Sequence, residues 1–150
     1  MATVELLFSA LPEHVRTARL VAAAVARRAG VDEAVLDEVR LAVGEACSRA
    51  VGLHRNGGIS SPVRVRLTED EKKFSIEVGD DAPHPVVTEV VVGGTTVTTA
   101  AEHDDAGSEG EDDMGLAVIS GLVDDVEVSA DENGGVIRMS WPTTSAAVLP

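Results

Sequence analysis

The sequence predicts an α+β fold, a two-layer sandwich in which a mixed, mainly antiparallel sheet is covered by helices. Three observations predict it. First, two stretches near the N-terminus place apolar residues at helical spacing: Val15, Ala18, Ala22, Val25, Ala26 and Ala29, then Val39, Ala42, Val43, Ala46 and Ala50. Second, Val63, Val65 and Leu67 alternate with polar residues, as do Phe74, Ile76 and Val78, which marks two half-buried strands. Third, a further pair of strand-like runs closes the chain, so helices sit between antiparallel strand pairs. At 150 residues the chain is expected to form one domain over 1–142, with 143–150 as a mobile tail.

Taken in order, residues 3–8 are short and apolar and read as an opening or edge strand. A helix start follows at 9–12, with Pro12 in the first turn and Glu13 at the favourable end of the dipole. Gly30 ends that helix as a C′ residue. Asp32 caps the next helix, which runs through the stretch 37–54, DEVRLAVGEACSRAVGLH. Asn56, Gly57, Gly58 and Pro62 make a turn, and a charged turn at 69–73 joins the two alternating strands as a hairpin. From 80 to 113 the pattern fails. Pro83, Pro85, Gly93, Gly94 and the tract AEHDDAGSEGEDD predict a long acidic lid loop at about 82–113, within which 86–92 is apolar enough for a short strand or a docked segment. A short helix at 114–123, a strand from Val126, a turn at 132–135 and a last strand at 136–141 complete the order.

Charge and cysteine usage exclude several classes. Acidic residues number 26 against 12 Lys plus Arg, a net charge of −14, which repels phosphate backbones and disfavours direct nucleic-acid binding. No segment is long and apolar enough to span a membrane, and Glu5 breaks an N-terminal run that also lacks a basic start, so the cytoplasm is the expected compartment. Cys47 is the single cysteine and reads as core packing. His14, His54, His84 and His103 lack ligand spacing, and the acidic tract lacks the alternation of a calcium loop; no metal site is expected.

The 37–54 stretch carries the functional signal. Glu38, Glu45 and Arg49 fall on a second helical face, and by spacing alone Glu45 and Arg49 form an i,i+4 surface pair worth about 0.3 kcal/mol. The run Val43-Gly44-Glu45-Ala46-Cys47-Ser48-Arg49-Ala50-Val51 resembles the N-box helix of the GHKL (histidine-kinase-like) ATPases, closest to the anti-sigma factor, serine-protein-kinase branch. That helix carries Glu-Ala-x-x-Asn-Ala, so Arg49 stands where the family has asparagine. Val78 to Pro83 resembles the second box, Val-x-Asp-x-Gly, with Asp80 retained and Ala82 at the glycine. Asp113-Met114-Gly115-Leu116-Ala117-Val118-Ile119 resembles the third box, Gly-x-Gly-(Leu/Phe)-x-x-Ile, with Asp113 at the first glycine. Gly134-Gly135-Val136 stands at a closing Gly-Gly-Thr, and Ala18-Arg19 is similar to an Ala-Arg of the family's partner surface.

The resemblance implies the Bergerat, histidine-kinase-like ATPase fold, with ATP or ADP held between the helical layer and a lid. It implies that Glu45 is the catalytic carboxylate and that Arg49, Asp80, Ala82, Met114, Gly115 and Leu116 line the nucleotide. Arg16 and Arg19 would bind the partners: a sigma factor, and a STAS-type anti-anti-sigma protein that counters it. A homodimer is implied as well. The departures weaken the site. Guanidinium has no acceptor for Mg²⁺, Ala82 disfavours the positive φ a glycine allows, and Asp113 adds negative charge near the phosphates. An anti-sigma-like regulator with a weakened or lost ATP site is therefore expected, with an active ATP-dependent serine kinase acting on the STAS protein as the alternative.

Overall fold

The computed structural model describes residues 2–83, 87–92 (as backbone only) and 117–143. In chain order these are strand β1 (Ala2–Phe8), helix α1 (Pro12–Ala29), a 3₁₀ turn (Glu33–Val35), helix α2 (Leu36–Asn56), and strands β2 (Val63–Glu69), β3 (Lys73–Asp80) and β4 (Val87–Val92). A helical turn at 117–122 and strands β5 (Asp125–Asp131) and β6 (Gly134–Pro142) follow. The sheet has six strands in the order β1-β2-β3-β6-β5-β4. Every pairing among the described strands is antiparallel, in keeping with a mainly antiparallel sheet covered by helices. The hairpins β2–β3 and β5–β6 need only short turns, and β6 closes on β3 to join them.

Local chemistry explains the helix boundaries. Pro12 opens α1, where its missing N–H removes nothing, and Glu13 follows. Gly30 ends it at φ 102°, a left-handed value that glycine adopts without a Cβ penalty. Val31 N–H then returns to the Ala26 carbonyl at 3.0 Å. Asp32 caps as expected, accepting from Ala34 N–H at 3.1 Å, but the cap initiates the 3₁₀ turn and α2 begins only at Leu36. Of the two readings left open for 86–92, the short strand is the one observed: 87–92 is β4, with Val90 and Val92 in register with Val128 and Val126 of β5. Three branched valines in a row suit a pleated surface better than a loop. The rest of the expected lid and the C-terminal tail lie outside the described residues.

One face of the sheet packs on the helices. Val63, Val65, Leu67, Phe74, Ile76, Val78, Ile137, Met139 and Trp141 are all buried there, with Ile119 and Val123 from the segment around 117–122. Alanines four apart, Ala18, Ala22 and Ala26 on α1 and Ala42, Ala46 and Ala50 on α2, are buried too. Small side chains at that spacing let helix axes approach closely. The opposite face is a solvated charge ladder. Glu5, Arg66, Glu77, Arg138 and Glu127 are directly in register across β1, β2, β3, β6 and β5. Their side chains alternate in sign with N–O separations of 3.7–4.0 Å. Cross-strand opposite charges of this kind contribute about 0.2–1 kcal/mol each.

Candidate functional site

The site is built along α2. Ala46, Ala50 and His54 follow one another at intervals of four and share the buried side of the helix. His54 is wholly buried, and its ring is satisfied on both nitrogens. Nε2 accepts from the Asp81 backbone N–H at 2.9 Å, and Nδ1 donates to the Ser61 carbonyl at 3.0 Å. Those partners fix the neutral Nδ1–H tautomer. The Asp81 carboxylate is gripped in turn by the Ser61 hydroxyl at 2.6 Å and the Arg64 guanidinium at 2.8 Å. The Ser61 hydrogen bond, then the Arg64 one, holds Asp81 below its ordinary 3.8.

This network anchors the end of β3, where Asp80 sits. Asp80 is buried, and its Oδ1 accepts from Ala82 N–H at 2.9 Å, a local turn that orients the carboxylate. Ala82 is itself buried, and no non-glycine residue among those described has positive φ, so the alanine is accommodated without backbone strain. Asp80 pairs with Gly135 across the sheet. The neighbouring Gly134 has φ 147°, and a Cβ there would lie 2.3 Å from the Asp80 carbonyl oxygen. The second and last boxes read from the sequence are thus adjacent strands, pressed together at Asp80.

A second locus lies nearer the middle of α2. Pro12, Val15, Arg16 and Arg19 of α1 and Leu41, Gly44, Glu45 and Ser48 of α2 line an open groove of about 280 Å³. That is just under the roughly 300–1,000 Å³ of small-molecule pockets and suits one or two side chains of a protein partner. Gly44 shapes it: a Cβ there would meet Arg19 Cδ at 2.8 Å, so the missing side chain lets the Arg19 stem lie on α2. Glu45, the expected catalytic carboxylate, therefore shares a groove with Arg16 and Arg19, the expected partner contacts. Exposed Leu41 and Leu20 stand on the same two helices.

Arg49 does not do what its spacing allows. None of the ion pairs among the described residues joins it to Glu45, and none includes Arg16 or Arg19. Its Nε is buried without a hydrogen-bond partner. An unsatisfied buried donor costs about 1–3 kcal/mol. Arg27, Arg28, Arg40, Arg64, Arg66 and Arg138 all have carboxylate partners; of the arginines outside the ion pairs among the described residues, Arg16 and Arg19 share the groove with Glu45.

Of the predicted site residues, Arg16, Arg19 and Glu45 come together in the groove, while Asp80 and Ala82 are held at the far end of α2. Met114, Gly115 and Leu116 lie outside the described residues, as does Asp113. Sequence reasoning missed His54, Ser61, Asp81, Arg64 and Gly44. His54 had a signal, since it continues the buried series Ala46, Ala50 by one further step of four. Glu38 accepts a hydrogen bond from Trp141 Nε1 at 3.0 Å, which ties α2 to the last strand. Cys47 is buried and its thiol is pushed up to about 12 by desolvation, as suits a packing residue. No helix among the described residues is long and apolar enough to cross a membrane.

The architecture is an antiparallel sheet under two helices, with a buried aspartate closing one strand and a half-buried glutamate on the second helix. The model of the histidine kinase-like ATPase domain matches residues 8–141, and the chain belongs to that family. Among solved structures it is similar to the RsbU and RsbW domains of Rv1364c from Mycobacterium tuberculosis, with a TM-score of 0.64 at 14% identity. The match covers 93% of this chain and 31% of that one, so this chain spans about a third of the longer protein. No curated protein matches the sequence.

Proposed function

We propose that this chain is an anti-sigma-factor-like regulator. It binds a sigma factor through the α1 face bearing Arg16 and Arg19 and is released by a STAS-type anti-anti-sigma protein. The observation that carries the reading is the pair of guanidinium groups, without an ion-pair partner among the described residues, beside exposed Leu41 in an acidic protein. A cationic and apolar groove on a protein of net charge −14 selects a partner segment that brings carboxylates with it. Similarity to a structure containing an RsbW domain supports the same branch. By that resemblance the chain also acts as a homodimer in the cytoplasm, which light scattering and cell fractionation would test.

The site is also proposed to hold ATP or ADP. Asp80 fits the base end: it is a buried, oriented acceptor for an exocyclic amino group. Glu45 fits the task of taking a proton from a hydroxyl. The fold family implies Mg²⁺ as well, and here the residues do not fit. Arg49 occupies the position of the amide ligand, and its guanidinium has no acceptor to offer the ion.

One observation favours the second reading, an ATP-dependent serine kinase acting on the STAS protein. Glu45 lines the groove that Arg16 and Arg19 line, so a partner docked there would present its side chains to the carboxylate. Two assays separate the readings. Arg19→Ala is expected to lower partner affinity by about 2 kcal/mol, roughly thirtyfold, with the fold retained; unchanged affinity places the interface elsewhere. Phosphate transfer from labelled ATP to a STAS protein, abolished in Glu45→Ala, would establish the kinase; no transfer by the unaltered chain supports the regulator with a weakened site.

A further inference from the structure

Arg49 is half-buried, and its Nε is enclosed with no acceptor. Three kinds of partner could satisfy it. Glu45, one turn before, is close in sequence but is not paired with it. A metal ion is excluded by chemistry, since guanidinium offers five donors, no acceptor and a fixed positive charge. An anion remains, and guanidinium matches phosphate oxygens in bidentate geometry. Position agrees with that choice. By helical rise, Arg49 lies about 6 Å along α2 from Glu45 and about 7.5 Å from His54, whose ring holds the backbone next to Asp80. Along the helix axis it stands between the two, on the Glu45 side of α2, about 140° round from His54.

We infer that the Arg49 guanidinium takes the place of the divalent cation, so that the chain binds adenosine di- or triphosphate as the metal-free anion. The inference rests on the reading that this site holds a nucleotide. Chelated Mg²⁺ removes two negative charges from the phosphates and sets a cation against Arg49. The metal therefore weakens binding here instead of enabling it.

Isothermal titration of the full chain with ATP, and separately with ADP, in EDTA and in excess Mg²⁺ tests this. The expected result is binding in EDTA that Mg²⁺ weakens several-fold. Arg49→Ala should lose at least tenfold in EDTA, Arg49→Lys should retain part of the affinity, and both should keep the wild-type far-ultraviolet spectrum. Binding that requires Mg²⁺, or equal affinity of Arg49→Ala and wild type in EDTA, overturns the inference while leaving the nucleotide reading intact. No binding of either nucleotide under either condition overturns both.

Discussion

Replacing His54 with alanine should be among the most damaging single changes in the described part of the chain. The side chain is wholly buried, and its ring bridges α2, the segment before β2 and the end of β3. Truncation strands two main-chain groups, the Ser61 carbonyl and the Asp81 N–H. Each costs about 1–3 kcal/mol if left unpaired, and removing a buried ring adds a cavity term of similar size. Water entering the space would recover part of this. A net loss of about 4 kcal/mol is expected, against a total of about 5–15 kcal/mol for a domain. For a chain of this length that corresponds to roughly 8–16 °C in Tm. Urea unfolding followed by circular dichroism, with His54→Ala and wild type compared at constant m, measures it. A loss below about 1 kcal/mol would show that the His54 hydrogen bonds do not hold β3 to α2, and the account of how Asp80 is positioned would fall with them.

Three further outcomes follow from the same region. Ser61→Ala removes one of the two clamps on Asp81 and should cost about 1 kcal/mol in the same unfolding assay. Because the folded value of Asp81 is depressed, its contribution is fully present above its ordinary 3.8 and is lost as pH falls through the lower folded value. Asp81→Asn should therefore be less stable than wild type at neutral pH, with the difference closing below pH 3.8; a difference constant with pH would contradict the assignment. Gly134→Ala must move either the β5–β6 turn or the Asp80 carbonyl, so a loss of about 3 kcal/mol is expected, with a shifted Asp80 amide resonance as the local readout.

The layers of this fold were legible because periodicity reports burial. Val63, Val65 and Leu67 could alternate only if one face of β2 was covered, and the alanine series on α1 and α2 announced a close helix pair. The adjacency of Asp80 and Gly134 was implicit in two motif fragments 54 positions apart in sequence, yet only strand register brought them together. β4 was ambiguous because a run of valines suits a strand or a docked segment equally; it is the antiparallel pairing with β5 that distinguishes them. The histidine network stayed hidden for a different reason. A buried histidine satisfied by main-chain groups has partners that carry no side-chain signature, so nothing in the identity of Ser61 or Asp81 advertised the contact. The Arg49 departure was visible as a letter, but whether it paired with Glu45 depended on rotamers that spacing does not set.

The charge ladder on the outer sheet face has an odd number of rungs. It begins with Glu5, runs through two arginines, and ends with Glu127, beyond which β4 offers the uncharged Val91. Both outermost strands, ATVELLF and VTEVVV, are without a single cation. A second copy arriving strand to strand at β1 has nothing to set opposite Glu5 that would continue the alternation, and its own row presents the same sign. Self-recognition at the sheet margin thus fails a parity test that a foreign strand carrying one arginine would pass. Like charge at Glu5 disfavours pairing of two copies strand to strand through β1.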